Sequence, residues 1–512
     1  SQPLRAVFQS IVGERDEARL EHRRLTLEIK LLKERIRLLL LSKYGSTSEQ
    51  LCDAQLSLLE LEPVVTREEV ATEAALPASE KKLTPRVAAA HGRSPLPAHL
   101  PRVVELISVP QSERHCATCG CVKCVIGHDL TEVLDIKPVE LFVRVIKREK
   151  LACPRHPEAG VAMGPSPERI IPGGKFSDAF IIAAVLKKYL DHLPLYRQSE
   201  AWWRDAQVDV SRSVLCDAIM AVGALLLPVN AAQRLELLAC DYLQADETPV
   251  GVQSPDAPKG QNHRAWQWQY GVPGGPVVFD FQMSRSRAGP AAFLANYRGV
   301  VQTDAYSAYD SVISPKMIHA GCWAHVRRKF HEAHQLDPAD AAAREVIERI
   351  GRLYAVEAQA REEKLTAVAR QQRRAEQSAS EVAALKARLV MIRAEVLPGS
   401  QLAKACGCAL RMWDRLEGCR AHGQVEIDTN LAENAMRPIA LGRKNWLHIG
   451  DEKAGPKIAA ILSVLATCRR LGIHPRDYLL AVLPKLGRTS TGDVHHLTPL
   501  AWHRARQAAT QQ

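Results

Sequence analysis

The sequence predicts a multidomain α+β protein, and three observations support this prediction. The chain has 512 residues, 46% of them hydrophobic, which is enough for several domains with ordinary cores. Runs rich in β-forming residues, separated by turn residues, fill 237–329. The next stretch, 330–424, is almost wholly helical in its pattern. We therefore expect a mixed β-sheet flanked by helices, with a helical insertion and smaller domains before it.

The charge and composition favour a polyanionic partner and exclude several classes of protein. The formal net charge is +11 and the pI is about 9.0, which suits nucleic acid or an acidic membrane surface. The apolar runs "IIAAVL" and "AVGALLLPV" are shorter than the roughly 18 residues of a spanning helix, and no signal-peptide pattern precedes them. Thirteen scattered cysteines favour reduced thiols or metal ligands over a disulfide framework. We expect a cytoplasmic protein without membrane segments.

The N-terminal region, 1–50, has the pattern of a leucine-rich helix. A mostly apolar set of residues recurs there at alternating spacings of four and three, at Ala18, His22, Leu25, Ile29, Leu32, Ile36 and Leu39. This heptad pattern fits a short dimerising coiled coil or an amphipathic helix packed on its own chain. The stretch that follows, 51–105, is rich in Ala, Pro, Glu and Lys and is interpreted as a linker.

The segment 106–172 carries cysteine pairs that suggest a structural zinc site. "HCATCGCVKC" supplies Cys116 and Cys119, and "CPRH" supplies Cys153 and His156. Two short-spaced pairs can place four ligands around one tetrahedral ion. Cys121 and Cys124 could substitute for either pair, and ordinary buried cysteines are the alternative.

The region 173–236 predicts paired helices. Two helical patterns are joined by a short turn at 208–210, with Ser211 as the N-cap of the second helix. As a helix-turn-helix, the pair would present Arg212 and Ser213 to a DNA major groove. A plain helical bundle produces the same pattern.

The order of the elements in 237–329 predicts the catalytic core. Three strands, a helix, a strand, a connection and another strand follow one another, which is the order of an RNase H-like domain. We interpret 330–424 as a helical insertion into this core and 425–487 as the second part of the core. A polar tail, 488–512, is expected to pack loosely.

Three carboxylates form the candidate active site. Asp246 is predicted to close the first strand of the core and Asp304 the fourth, and these strands lie side by side in an RNase H-like sheet. Two carboxylates at one sheet edge repel each other unless cations lie between them, which suggests hard divalent metal ions. Glu433 is the third, in the first turns of a helix that Thr429 could cap. Taken alone, Glu433 could equally form a surface pair with Arg437.

Four segments resemble the IS-sixty-six family of bacterial insertion-sequence transposases, of the TnpC type. They are "QADETPV", "VQTDAYSAYD", "CWAHVRRKF" and "AENAMRPIALGRKNW". The resemblance extends to "LDHLPLYRQSE" and the cysteine pairs, from the leucine-rich helix to about residue 486.

The resemblance implies a DDE transposase whose triad is Asp246, Asp304 and Glu433, working with two Mg²⁺ or Mn²⁺ ions. It places Cys116, Cys119, Cys153 and His156 on the family's zinc-binding segment, where His156 stands in place of the usual Cys. Several transposase groups also carry a Cys-x-x-His pair between the second Asp and the Glu, which Cys322 and His325 match. One such pair cannot complete a zinc site, so His325 is assigned to DNA contact near the active site.

Basic and aromatic side chains near Glu433 are candidates for DNA contact. Arg437, Arg443 and Lys444 are placed to neutralise phosphates, although a solvated basic face is the alternative. Trp266, Trp268 and Trp446 could stack on flipped bases or belong to the core.

The predicted function is binding of transposon ends, followed by DNA cleavage and strand transfer by two-metal chemistry. The alternatives are an RNase H-like nuclease or resolvase without joining activity, and a regulator that only binds DNA. The expected partners are double-stranded DNA, a second copy of the chain and possible small accessory proteins encoded by the same element.

Overall fold

The computed structural model describes residues 168–510 apart from positions 259 and 305, together with 141–143, 146, 150–152, 161–163 and nine helical positions between 15 and 36. The chain divides into two compact units. One contains Ser1–Val64, Arg148–Ala201 and Asp209–Gln512, and the other contains Val65–Lys147 and Trp202–Val208. The sheet and all helices from residue 209 onward belong to the first unit.

The N-terminal predictions are only partly within the described residues. His22, Leu25, Ile29, Leu32 and Ile36 are helical and exposed, with the four apolar side chains 49–55% accessible. Ala18 and Leu39 lie outside the described residues, as do the predicted zinc ligands Cys116, Cys119, Cys153 and His156. Strands β1 (Lys150–Ala152) and β2 (Val161–Met163) form an antiparallel pair, and β1 ends directly before Cys153.

Three helices precede the sheet. They are α1 (Asp178–Tyr189), α2 (Leu195–Ala206) and α3 (Arg212–Leu238). Ser211 caps α3 as predicted, because its hydroxyl accepts a hydrogen bond from the Val214 amide. Arg212 and Ser213 are exposed in the first turn of α3.

Helix α3 corrects the expectation that no apolar segment is long enough to cross a membrane. Its 27 residues satisfy that test by length and composition. The run "AVGALLLPV" is only part of this helix, which begins at Arg212 and continues past Pro228 to Leu238. Val222, Leu226 and Val229 are fully buried in a core shared with other helices, which is also how the central helix of a globular domain behaves.

The sheet follows the predicted order of elements along the chain. These are β3 (Tyr242–Val252), β4 (His263–Gly271), β5 (Val277–Gln282), α4 (Ala288–Leu294), β6 (Val300–Gln302), a 3₁₀ turn (Ser307–Ser311) and β7 (Ile318–Ala320). Across the sheet the order is β5-β4-β3-β6-β7. Strands β3, β4 and β5 are antiparallel neighbours, whereas β6 runs parallel to both β3 and β7. The result is one mixed sheet with β3 at its centre.

Strand β3 differs from the sequence prediction at both ends. Residues 237 and 238 still belong to α3, so the strand begins at Tyr242. It also continues past Asp246 to Val252, because the long hairpin with β4 pairs every residue from Gln244 to Val252. Asp246 therefore lies within the strand and does not close it as we predicted.

The stretch between β7 and the last part of the core is helical, and its buried side chains form a hydrophobic cluster that continues onto the sheet at Tyr242, Val300 and Ala320. It contains α5 (Trp323–Leu336), α6 (Ala341–Glu362), α7 (Ala367–Arg373), a π-helical turn (Arg374–Ser378), α8 (Ala379–Glu395), α9 (Gln401–Arg411) and α10 (Trp413–Ala421). Phe330, Ile350 and Leu385 are completely buried there. Arg374 forms two bonds of 2.5 and 2.6 Å with Glu357, and both side chains are only 3% exposed. Each charge is thus paired, as a buried ion requires.

The chain returns to the sheet with α11 (Asn430–Trp446), α12 (Ala454–Arg470) and α13 (Pro475–Leu486). Helices α3 and α12 cover one face of the sheet, where they pack on Val252, Val277 and Phe279. Helix α4 covers the other face, around Trp268 and Tyr270. The sheet is therefore the middle layer of three.

The C-terminal tail is ordered, contrary to our expectation. A 3₁₀ turn (Val494–Leu497) leads into α14 (Pro499–Thr510). Trp502 packs edge-on against Tyr478 with 5.7 Å between ring centroids, and the Thr498 hydroxyl donates to the Glu236 carboxylate at 2.5 Å. The polar composition misled the prediction because two aromatic rings and a few hydrogen bonds are enough to anchor the segment.

Candidate active site

Asp246 on β3 and Asp304, two residues past the end of β6, occupy equivalent positions in the register of these neighbouring parallel strands. The register of β3 and β6 pairs Tyr242 with Val300 and Gln244 with Gln302. Each aspartate lies two residues beyond that last pair. Since side chains alternate between the faces of a strand, Asp246 shares a face with Gln244, whose amide donates to the Asp428 carbonyl just before α11. The sheet thus brings both carboxylates to the end of it where α11 begins.

Helix α11 adds the third carboxylate. Glu433 lies in its first turn, and Thr429 occupies the N-cap position. The Thr429 side chain makes no capping hydrogen bond, contrary to our prediction. Asp428 replaces it by accepting from the Asn430 amide at 3.1 Å. Residues on either side of the predicted cap therefore fix the start of the helix.

The electrostatics of Asp246 show that the three carboxylates are close. Burial raises the pKa of Asp246 well above its usual value, and the negative charges of Glu433, Glu247 and Asp304 raise this pKa further. A carboxylate with three acidic neighbours is poorly stabilised when ionised. The group is therefore one that a bound cation would stabilise.

Each carboxylate is held by a specific hydrogen bond or ion pair. Asp246 accepts from the Glu247 amide at 2.9 Å, and Asp304 accepts from the Tyr306 amide at 2.8 Å. The Glu433 Oε2 atom lies 3.2 Å from the Arg328 guanidinium of α5. Glu433 thus pairs with a residue of another helix.

His325 lies beside the carboxylates, one turn before Arg328 on α5. Burial lowers the pKa of His325, and Lys329 and Arg328 lower it further, against the opposing effect of Asp304 and Glu433. The imidazole is therefore neutral at physiological pH and can either donate or accept a hydrogen bond. The other member of the Cys-x-x-His pair, Cys322, is fully buried, and its sulfur accepts from the Thr429 amide at 3.4 Å.

The donor set suits hard divalent cations in its chemistry. Carboxylate oxygens are the preferred ligands of Mg²⁺ and Mn²⁺. Within the described part of the chain, however, no three His, Cys, Asp or Glu side chains are close enough together to hold one ion. Glu433 forms an ion pair with Arg328, and its charge also acts on Asp246.

Comparison with known protein families identifies the chain. A family model described as "Transposase IS66 family" matches residues 173–457, which is more than half of the 512 residues. The chain belongs to the IS66 family of transposases. This confirms the resemblance found in the sequence motifs, and the matched range contains Asp246, Asp304 and Glu433.

Two further models match the N-terminal part of this IS66 family member. One, described as a zinc-finger binding domain of the IS66 transposase, covers residues 113–155. It includes Cys116, Cys119 and Cys153 and ends one residue before His156. The other, described as "Transposase C of IS166 homeodomain", covers residues 31–104, most of the stretch that we interpreted as a linker.

Several curated relatives extend over nearly the whole chain. The protein y4qI of Sinorhizobium fredii is 31% identical over 95% of this chain and 94% of its own length. The protein y4jD of the same organism is 30% identical over 83% of this chain and 84% of its own length. Both are named as uncharacterized proteins.

The predicted DNA-contacting residues occupy different environments in this transposase. Lys444 is exposed on α11, and Arg437 is half-buried. Arg443 donates to the Thr248 hydroxyl at 3.1 Å and to the Pro249 carbonyl at 2.8 Å. At least one nitrogen of Arg443 is thus used to hold α11 against β3.

The three tryptophans considered for base stacking are all covered by protein. Trp268 is fully buried and Trp266 is 8% exposed. Trp446 is half-buried and packs against the core between the sheet, α3 and α12. In this structure the three tryptophans therefore fit the alternative interpretation, in which they belong to the core.

Sequence reasoning missed three charged residues around the site. Arg328 pairs with Glu433, and Arg285 pairs with Glu247, the residue after Asp246. The pair "DE" at 246 and 247 is a visible signal, because two adjacent acids on a strand must face opposite sides and each needs a partner. The arginines themselves lie on distant elements and give no local signal.

Proposed function

We propose that this protein is a DDE transposase that binds the ends of its insertion sequence and cleaves and joins DNA strands. The observation that carries the proposal is the convergence of Asp246, Asp304 and Glu433 from β3, the end of β6 and α11. The mutual charge effects that raise the pKa of Asp246 support it. Membership of a transposase family is consistent with this chemistry.

We further propose that the sheet is an RNase H-like core. In that fold three antiparallel strands are followed by two parallel ones on the other side of the first strand. The order β5-β4-β3-β6-β7, with β6 and β7 parallel to β3, supports the assignment. The insertion between β7 and α11 then separates the second aspartate from the glutamate.

The proposed mechanism assigns a role to each residue of the site. Asp246, Asp304 and Glu433 would hold two Mg²⁺ or Mn²⁺ ions, which when bound supply an activated oxygen nucleophile and stabilise the leaving oxygen. Asp304 keeps its orientation through the Tyr306 amide. Neutral His325 can hydrogen-bond to a phosphate or to the nucleophile beside the carboxylates. Arg328, which lies beside Glu433, would contact a DNA phosphate at the site.

Double-stranded DNA is the proposed partner. Lys444 and Arg437 on α11, and Arg212 with Ser213 at the start of α3, would contact its backbone or groove. Arg443 is proposed to contact DNA only through nitrogens that β3 does not use. The match to a model described as a homeodomain adds a candidate DNA-binding region in residues 31–104.

The remaining N-terminal features complete the proposal. Cys116, Cys119, Cys153 and His156 would bind one structural zinc ion, which the family match over residues 113–155 supports. The exposed heptad positions would pair two chains, and the mass of the protein by light scattering tests this. We place the protein in the cytoplasm, on the nucleoid when bound to DNA, with possible accessory proteins of the same element.

The test of the proposed function is DNA cleavage by Asp304→Asn. The substrate is a DNA fragment carrying the sequences that flank the gene, in Mg²⁺ or Mn²⁺. The variant is nearly isosteric and should lose cleavage while binding the fragment as tightly as the wild type, because only the metal-holding charge is removed. Lys457→Gln, which changes a charge on α12, serves as the matched control and should cleave normally.

Other outcomes point to the other readings. Substantial cleavage by Asp304→Asn would refute the triad. Cleavage by the wild type without joined products, in an assay that supplies target DNA, would indicate a nuclease or resolvase. Binding of the ends without any cutting, even with the accessory proteins present, would indicate a regulator.

A further inference from the structure

The Arg285 side chain contacts Glu247, Tyr306 and Trp266 on the face of the sheet opposite Asp246. Its guanidinium donates twice to Glu247 Oε1, at 2.6 and 3.1 Å. It also stacks over the Tyr306 ring at 3.7 Å and over the Trp266 ring at 4.6 Å. One cation therefore ties β3, β4 and the segment after β6 together.

Tyr306 connects this cation to the candidate catalytic residue Asp304. The Tyr306 amide donates to Asp304 Oδ1 at 2.8 Å, and the Tyr306 hydroxyl donates to the Arg285 carbonyl at 2.9 Å. The ring is thus fixed at its face by the guanidinium and at its tip by the backbone of the same arginine. A displacement of the ring would move the amide that orients Asp304.

Glu247 connects the same cation to Asp246. The two residues are adjacent on β3 and point to opposite faces of the sheet. The Glu247 side chain is only 2% exposed, and its second oxygen is 3.4 Å from the Tyr309 hydroxyl. The backbone amide of Glu247 is also the donor that holds Asp246 Oδ1. Both aspartates are therefore oriented by backbone amides of residues that contact Arg285.

We propose that Glu247, Arg285 and Tyr306 form a clamp behind the sheet that positions the Asp246 and Asp304 carboxylates relative to each other for divalent cations. The clamp residues are positioning residues, since they act on the two carboxylates through the backbone amides of Glu247 and Tyr306. This inference rests on the proposed function, because it assigns the clamp to the same metal-holding site.

Removal of Arg285 distinguishes a positioning role from a purely electrostatic one, because the two roles change the affinity for divalent cations in opposite directions. Loss of a positive charge close to acidic groups strengthens cation binding by Coulomb's law. Loss of the clamp weakens cation binding, because the two carboxylates no longer share one geometry. Groups that orient metal ligands in this way typically account for about 10- to 100-fold in metal affinity or activity.

The experiment measures Mn²⁺ binding by calorimetry and DNA cleavage on the full-length protein, for the wild type and Arg285→Met. We expect Mn²⁺ affinity and cleavage to fall by about 10- to 100-fold. Arg285→Lys keeps the charge but loses the planar stacking. Its Mn²⁺ affinity and its cleavage should therefore lie between those of the wild type and those of Arg285→Met. Arg373→Met is the matched control, because Arg373 also makes two bonds to one glutamate, Glu363, at 2.7 Å each. It should change neither quantity.

Failure of the clamp and failure of the proposed function give different results in this experiment. Unchanged or tighter Mn²⁺ binding by Arg285→Met, in a protein whose wild type cleaves and whose Asp304→Asn variant does not, would overturn the clamp alone. Absence of Mn²⁺ binding by the wild type would overturn the metal site and with it the proposed function. If Arg285→Met does not fold, Arg285→Lys and Tyr306→Ala decide, and wild-type affinity in both would refute the clamp.

Discussion

At the scale of single residues, Asp246 is the most informative group in the protein. It is surrounded by acidic neighbours, and its pKa is raised by burial and by their charges. An acid whose pKa rises on folding binds a proton more tightly in the folded state than in the unfolded state. The folded protein therefore loses stability as the pH rises from the unfolded pKa of Asp, about 3.9, toward the raised folded value.

The Asp246→Asn variant should remove this penalty. At neutral pH and without added Mg²⁺ or Mn²⁺, we expect Asp246→Asn to unfold at a higher temperature than the wild type. Its free energy of unfolding should be higher by about 1.4 kcal/mol for each unit of pKa shift. The advantage should shrink as the pH falls toward about 4, where the wild-type carboxyl is protonated in both states. Thermal unfolding followed by circular dichroism between pH 4 and 8 measures it.

A second part of that experiment links the penalty to cations. Added Mn²⁺ should raise the unfolding temperature of the wild type and have a smaller effect on Asp246→Asn, because a ligand that binds only the folded state stabilises it. A variant less stable than the wild type at neutral pH would contradict the assignment of Asp246 as a strained carboxylate. In that case the hydrogen bond that Asp246 accepts from the Glu247 amide would stabilise the folded protein by more than the charge repulsion destabilises it.

At the scale of elements, the placement of α11 against β3 decides the geometry of the site. Glu433 lies at the beginning of the helix, and Arg443 ties its last turn to Thr248 and Pro249 of the strand that carries Asp246. Lys444, the next residue, is exposed. Adjacent basic residues of one motif therefore serve different purposes, which their identical charge could not reveal.

Arg443→Met and Lys444→Met should differ accordingly. The first removes hydrogen bonds from a charged donor and should lower the free energy of unfolding by about 1.5–3 kcal/mol, with a loss of cleavage. The second should weaken DNA binding, reducing the slope of log affinity against log salt by about one. Urea unfolding and salt-dependent binding of an end fragment measure these effects. Wild-type stability of Arg443→Met would show that the Arg443 bonds do not anchor α11.

At the scale of the whole molecule, the chain joins a three-layered core to a family-defined zinc segment and a leucine-rich helix. The zinc segment is proposed from its cysteine pattern and from the family match over residues 113–155. Such small segments usually depend on their metal for folding. The zinc proposal can therefore be tested without any reference to the active site.

Metal analysis of the purified protein should return about one zinc per chain. Cys116→Ser with Cys119→Ser should lower this value to near zero, because two of four ligands are lost. The free Cys216→Ser variant, a cysteine exposed on α3, should retain the zinc and serves as the control. Wild-type protein without zinc would refute the site, and zinc retained by the double variant would transfer the ligand role to Cys121 and Cys124.

Much of the core was predictable because its signals are local. Alternating apolar residues and turn residues gave the order of strands, and Ser211 marked the start of α3. The limits of β3 were wrong because the hairpin with β4 extends the strand through Asp246, Thr248 and even Pro249. Pairing between strands thus overrode the local tendency of Asp and Pro to end them.

The sequence alone determined the family and the order of the elements, since motifs, periodicity and turn chemistry are written in neighbouring positions, and it predicted the three acidic residues of the candidate site. Only the tertiary structure decided that Glu433 pairs with Arg328, which lies 105 residues away, and that Arg285 joins Glu247 to Tyr306. The physical reason is that charges seek partners in space. Which partners come within reach depends on the packing of strands and helices that are far apart in the chain.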